Sequence, residues 1–397
     1  MLLHHRCRGL VHALAGIALA VTSLPIAASS LRVAHDAEPQ WEATKNTANA
    51  AARVQISMQR PDGQRMVIAL QPQTALMSDT VRRRLRETHG THVFAGHVIG
   101  SDESWVRLTR IDGAWMGAIC TPTELWLLDP ARDHADWADA LDLESNATLI
   151  YTQADLTTPL PYDADLLLPA TTTRPAAAAA AAAGTEALTY EIELTLVLDP
   201  QFQTHYGADS ESVALAVANV VDGFYAAQLD TRVRLDDIIL MADDGGMVND
   251  QGNPTTAAGA LLGQFRQYTL RENVPYKDGI HLLSGRDFDG AVVGMAFSGA
   301  MCDFTHSAGV AQATSGGANA AIILAHELGH TAGLAHDSGA MGTACPAWGY
   351  IMGGMTSAAH SFSPCSIDQY HAWIASHNHA CMRPVAVFAD GFDDVNR

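Results

Sequence analysis

The stretch "HELGHTAGLAHD", His326–Asp337, decides how this chain is read. It gathers three histidines and two carboxylates in a protein whose charged content is only 17%. The residues before it, "ANAAIILA", follow Ser315-Gly316-Gly317 and are rich in good helix formers. His326 and His330 therefore sit four apart on one helical face. Two neutral imidazoles at that spacing hold one zinc ion. Gly333 comes one turn later, where a residue tolerant of positive φ ends the helix and reverses the chain. His336 then swings back as the third ligand, and three protein ligands leave one zinc position open, as in catalytic rather than structural sites. Glu327 lies beside His326 and one turn above His330. There it is placed to take a proton from a water that zinc brings to a pKa of about 7, and to pass it to a departing amine. No serine or cysteine nucleophile is needed. A bare HExxH arises by chance, and histidines on an apolar helix are often ordinary core residues. Gly333 and His336 at fixed offsets make that reading the weaker one.

Working outward, "TYEIELTLVL" (Thr189 to Leu198), "TRVRLDDIILM" (Thr231 to Met241), "GIHLLSG" (Gly279 to Gly285) and "AVVGMAFS" (Ala291 to Ser298) read as strands. Helical stretches from about Glu211 to Leu229 and from about Thr255 to Glu272 lie between them, which predicts an α/β sheet covered on both faces. Farther upstream, "LPATTTRPAAAAAAAAGTE" (Leu168 to Glu186) carries no amphipathic period and reads as a connector. Before it, alternating segments such as "WVRLTRI" and "ELWLLDP", split by "DG" and "TPT" turn signals, predict a β-rich domain. The expected divisions are a signal peptide at 1–28, a β-rich domain at 29–167, a Thr/Pro/Ala-rich linker at 168–186, a zinc peptidase domain at 187–383 and a tail at 384–397.

Composition narrows the classes. A formal net charge of −20, with Lys45 and Lys277 the only lysines, excludes a phosphate-binding surface for nucleic acid. Arg6 and Arg8 precede an apolar run from Leu10 to Leu24 and small residues near Ala28, the pattern of a cleaved secretory signal. No later segment has the roughly 20 apolar residues of a spanning helix. The expectation is an exported protein without a membrane anchor, bacterial in origin and monomeric. The arginine run Arg82 to Glu87 reads first as a solvated helix face, and second as a surface turned toward the acidic second half.

Cys302, Cys345, Cys365 and Cys381 crowd the last hundred or so residues, and in an oxidising compartment they form two disulfides by one of three pairings. A thiolate zinc site lacks any close CxxC pair.

The full pattern HExxHxxGxxH, with Met352 downstream in "YIMGGM", resembles the metzincin clan of zinc peptidases. Asp337 directly after the third histidine is similar to the adamalysin or reprolysin (ADAM-like) branch. "IELTLVLD" resembles that family's first strand, "HLLSGRDFDGAVVGMAFSGAMCDFTHSAGV" its edge-strand region, and "FSPCS" the motif that follows its Met-turn. "GHVIGSDESWVRLTRIDGAWMGAICTPTELWLLDP" (Gly96 to Pro130) resembles the reprolysin propeptide. The resemblance implies an α/β metzincin-type catalytic domain, with a mixed twisted sheet, an active-site helix and a Met-turn, preceded by a β-rich propeptide domain. It implies zinc on His326, His330 and His336, Glu327 as catalytic base, Met352 as a hydrophobic floor, and the disulfides Cys302–Cys381 and Cys345–Cys365. It also implies a zymogen cut in the alanine-rich connector. The family's cysteine switch has no cysteine at its usual place. Cys120 is the one substitute, and "MGAICT" reads rather as a strand interior with a buried thiol. Glu193 and Asp278 match two carboxylates of a calcium site found in some members, but Arg383 and Pro384 stand where an asparagine is expected, which argues against Ca2+.

The expected function is a secreted zinc endopeptidase made as a proenzyme, acting on protein or peptide substrates laid against the edge strand near Ala291 to Ser298. The rivals are a secreted binding or adhesion protein with a structural or vestigial zinc, and a hydrolase of non-peptide amides. Glu327 argues against the first, because a structural zinc has no use for that carboxylate.

Overall fold

The computed structural model describes residues 32–33, 40–42, 53–60, 63–88, 91–156, 188–337, 349–353, 361–376 and 381–386. The expected signal segment, the connector at 168–186, Cys345 and the "FADGF" tail lie outside the described residues.

The first half folds into strands β1 (Arg32–Val33), β2 (Gln40–Glu42), β3 (Arg53–Gln59), β4 (Arg65–Pro72), β5 (His92–Val98), β6 (Trp105–Ile111), β7 (Ala114–Cys120), β8 (Leu125–Pro130) and β9 (Thr148–Tyr151), with helices α1 (Asp79–Thr88) and α2 (Ala135–Leu141) between them. They make one 9-stranded sheet in the order β1-β9-β8-β7-β6-β5-β4-β3-β2. Every pairing in it is antiparallel. The "DG" signal works as expected: Asp112 and Gly113 take φ of 47° and 86°, the left-handed pair that a tight two-residue hairpin between β6 and β7 demands.

The second half supplies β10 (Leu188–Leu198), α3 (Pro200–Tyr206), α4 (Ser210–Gln228), β11 (Thr231–Leu240), α5 (Ala258–Arg271), β12 (Gly279–Ser284), β13 (Gly294–Ala296), β14 (Ala308–Gln312), α6 (Gly317–Thr331), α7 (Pro364–Ser376) and β15 (Arg383–Ala386). Its mixed sheet runs β11-β10-β12-β14-β13, and β15 pairs with β10. β10, β11, β12 and β14 are parallel, whereas β13 and β15 join antiparallel. Side chains of β10 alternate between faces, as a strand requires. Ile192, Leu194, Leu196 and Leu198 pack with α4 and α6, while Val197 packs with Leu261, Leu262 and Phe265 of α5.

Several elements differ from the sequence reading. β13 has only 3 residues because Gly290, at φ 78°, keeps the preceding chain in a turn. β14, "AGVAQ", has no bulky β-formers and was not expected as a strand. Its small residues are required there, since a Cβ at Gly309 would come within 2.5 Å of the His281 ring on β12. β15 crosses position 383/384, where the peptidase domain was expected to end. Arg84 is not a solvated charge: it pairs with Glu211 at 2.7 Å and Asp237 at 3.4 Å, and donates to the Ile238 carbonyl. Its neighbour Arg83 is exposed, so the arginine run serves both ways.

The two halves share a core. Trp105, Met116, Ala118, Cys120, Leu127 and Tyr151 on one face of the antiparallel sheet belong to the same buried cluster as α4 and α6. The other face, with Ile68, Leu108, Trp115 and Leu128, forms a core of its own. The seam in sequence is therefore bridged in space. Polar groups complete the contact: Arg107 donates to Asp222 on α4 at 3.0 Å, and Asn219 donates to the Phe94 carbonyl at 3.2 Å. Ser78 N donates to the Leu235 carbonyl at 3.0 Å, covering part of the β11 edge.

A shared core of this kind predicts one cooperative unit. Tryptophan fluorescence, rich in Trp105, Trp115, Trp126 and Trp137 of the first half, and far-UV ellipticity, mainly from second-half helices, should report coincident urea transitions. Arg107→Ala, which strips Asp222 of its buried cation, should lower both together by about 3 kcal/mol.

Candidate metal centre

α6 is buried on every side, and it carries His326 and His330 in its last turns. It stops where the sequence places Gly333. That residue takes φ 84°, Leu334 N donates to the Gly329 carbonyl at 2.9 Å, and Gly333 N donates to the His330 carbonyl at 2.8 Å. This is the Schellman closure of a helix, and a Cβ at Gly333 would also run into Trp373 of α7. The reversal brings His336 back over the helix. The three Nε2 atoms lie 2.9 Å (His330 to His326), 3.1 Å (His326 to His336) and 3.2 Å (His330 to His336) apart.

The His330–His326 separation cannot be an ordinary hydrogen bond. His326 Nδ1 lies 2.6 Å from the Ile351 carbonyl oxygen and His330 Nδ1 lies 2.8 Å from the Leu334 carbonyl oxygen. A carbonyl only accepts, so each of these nitrogens carries the ring proton and leaves Nε2 a bare lone pair. Lone pairs crowded together without protons repel unless a cation sits among them. Zinc at about 2.0–2.1 Å from each nitrogen, with near-tetrahedral angles, needs neighbouring nitrogens roughly 3.3 Å apart, close to what the residues provide. The donor set thus fits zinc, and the two backbone carbonyls fix the tautomers of His326 and His330 by accepting their Nδ1 protons.

Three further contacts shape the centre. Met352 is fully buried below α6, and a Cβ at Gly329 would lie 2.7 Å from its sulfur, so the glycine inside HELGH lets the thioether approach. Asp337, fully buried, accepts from Ser363 at 2.6 Å and Ser366 at 3.0 Å, and its N–H donates to the Met352 carbonyl at 2.8 Å. Burial raises its carboxyl above the ordinary range, and the two hydroxyls pull it back. It thereby ties the residue after His336 to the "FSPCS" start of α7. Glu327 is 0% exposed, and its carboxylate lies against Gly294 of β13, where a Cβ would overlap Oε1.

The loop before β14 seals the helix from the other side. Gly299 N donates to the His330 carbonyl and Met301 N to the Thr331 carbonyl, each at 2.8 Å. Cys302 follows and is joined to Cys381 by a disulfide. Cys365 is disulfide-bonded too, and its expected partner Cys345 lies outside the described residues.

Elsewhere the residues do other work. Glu193 accepts from Lys277 at 2.6 Å and Arg234 at 3.2 Å, and Asp278 accepts from Glu193 N at 2.7 Å. Side-chain cations thus occupy Glu193, and a backbone N–H faces Asp278, at the two positions that the resemblance connected with calcium. Cys120 is buried in β7 and burial pushes its thiol up to about 12, so it is held neutral, unlike the thiolate that binds metal. Among the described residues, His326, His330 and His336 are the one group of three or more ligand-type side chains close enough to share an ion. Sequence reading missed Gly294 and the serine pair on Asp337. The "FSPCS" motif carried a signal for the serines, but nothing local marked Gly294.

Compared with known families, residues 190–385 match the model described as Reprolysin (M12B) family zinc metalloprotease. The match begins in β10 and ends in β15. It takes in the mixed sheet and α6, and leaves the antiparallel sheet outside.

The purified protein should take up one equivalent of zinc, read by elemental analysis. His336→Ala should weaken binding in chelator competition by more than about 100-fold, and Asp337→Ala, which removes no ligand, by about 10–100-fold.

Proposed function

Because residues 190–385 form a zinc metalloprotease domain of the reprolysin (M12B) family, we propose that this chain is a secreted endopeptidase that uses Glu327 as its general base and acid. The observation that carries this reading is the convergence of three Nε2 atoms within 3.2 Å of one another, one residue from a buried carboxylate. His326, His330 and His336 would hold a zinc ion, which would supply Lewis acidity toward a water and the scissile carbonyl. Glu327 accepts the proton that the water gives up and later delivers it to the leaving nitrogen. Gly294 leaves room for that carboxylate, and Met352 with Asp337 hold the histidines from below and behind. Substrate lies extended along β13, the terminal strand of its sheet, where main-chain pairing presents a peptide bond to Glu327.

Secretion and synthesis as a proenzyme belong to the same proposal. The Cys302–Cys381 disulfide supports an oxidising destination. No helix among the described residues is long and apolar enough to cross a membrane. The cut that separates the halves is assigned to the connector at 168–186. Latency through Cys120 has no support, since that thiol is neutral and enclosed in the shared core.

Glu327→Gln should abolish digestion of denatured casein while leaving zinc content unchanged, and a chelator should abolish the wild-type activity. Full activity in the Gln variant ends the mechanism. Gly294→Ala, by pushing the Glu327 carboxylate aside, should lower kcat at least about 10-fold with KM little changed, the signature of a misplaced proton carrier.

A further inference from the structure

α6 begins without a cap of its own. Its N-cap is Gly316, at φ 87° and ψ 149°, which has no side chain to accept from the first-turn N–H groups. The acceptor comes from the other half of the chain: Asp129 Oδ1, at the end of β8, accepts from Ala318 N at 3.0 Å. Asp129 is 0% exposed, and its second oxygen accepts from the Tyr151 hydroxyl at 2.6 Å and lies 3.1 Å from His134 Nε2. Two partners from the same half of the chain, Tyr151 on β9 and His134 just before α2, thus aim this carboxylate at the helix. Its negative charge also suits the positive end of the helix dipole.

Steric fit points the same way. A Cβ at Gly316 would overlap Asp129, and one at Gly317 would overlap the Met116 side chain of β7. Gln153 donates to Asn319 of α6 at 3.2 Å, both side chains being buried. All these contacts fall on the first turn of α6, whereas His326 and His330 occupy its last turns.

We propose that Asp129 is a positioning residue for the metal centre: the antiparallel sheet supplies the cap that the metal-bearing helix lacks. The sheet therefore supports the helix from its far end. This rests on the reading of His326, His330 and His336 as metal ligands.

The test uses the full chain and hydrogen exchange read by mass spectrometry. Asp129→Ala should speed exchange in the first turn of α6 and weaken zinc binding in chelator competition, each by roughly five- to tenfold, the scale of a lost cap. Asp129→Asn keeps an acceptor for Ala318 N and should restore most of both. Glu124→Ala, which removes a surface ion pair with Arg60 on the same sheet away from α6, should move neither. Should Asp129→Ala not fold, the wild type decides, because coupling is reciprocal. Stripping its zinc should then raise exchange in β8 and β9 more than in β3 and β4 of the same sheet. Unchanged first-turn exchange or unchanged zinc affinity in Asp129→Ala, or equal exchange in both strand pairs, overturns the proposal. A wild-type protein that binds no zinc overturns the metal reading instead, and the exchange in α6 still reads the cap.

Discussion

Three imidazole Nε2 atoms converging on one point form the constraint around which the second half of this protein is arranged. Such a cluster is repulsive on its own, and it persists because each element around it is fixed by something else. Backbone carbonyls of Ile351 and Leu334 hold two of the rings by their Nδ1 protons. Gly333 fixes the reversal that returns the third, and Asp337 anchors that return to α7. The helix itself is clamped between the mixed sheet and α4, with Tyr225 of α4 donating to the Ala325 carbonyl at 3.1 Å. A cation among the nitrogens turns the repulsion into binding, and the rigid surroundings mean that little reorganisation accompanies it.

The chemistry follows from what is left beside that point. Glu327 is one residue from a ligand, buried, and given space by the absence of a side chain at Gly294. The same design principle recurs at Gly329, where a missing methyl admits the Met352 sulfur. Both glycines act by close approach. Neither is needed for an unusual backbone conformation, since only Gly333 in this group carries a positive φ.

Much of the centre was legible before any coordinates. The i, i+4 histidines, the glycine stop and the returning histidine are local features, and local geometry of a helix and its C-terminus follows from a dozen residues. The strands β10 and β11 announced themselves through β-branched residues, and β12 through a short apolar run. β14 did not, because its alanines and glycine were selected for fit against His281 and carry little strand propensity. The shared core was missed although a signal existed. α4 reads "SVALAVANVVDGFYAA", apolar on all sides, and a helix of that kind needs a layer on each face. β7, "AWMGAIC", is likewise buried along its whole length on both faces. Arg84 with Glu211 and Asp129 with Ala318 were out of reach, because each joins residues more than a hundred positions apart. Nothing in the local pattern specifies such a pair.

The most direct measurement is anomalous X-ray scattering at the zinc edge from crystals of the zinc-loaded protein. The account predicts a single peak about 2.0–2.1 Å from Nε2 of His326, His330 and His336, with no fourth protein ligand. A map with no peak among those three nitrogens, or with a fourth side chain closing the metal's remaining position, would contradict it.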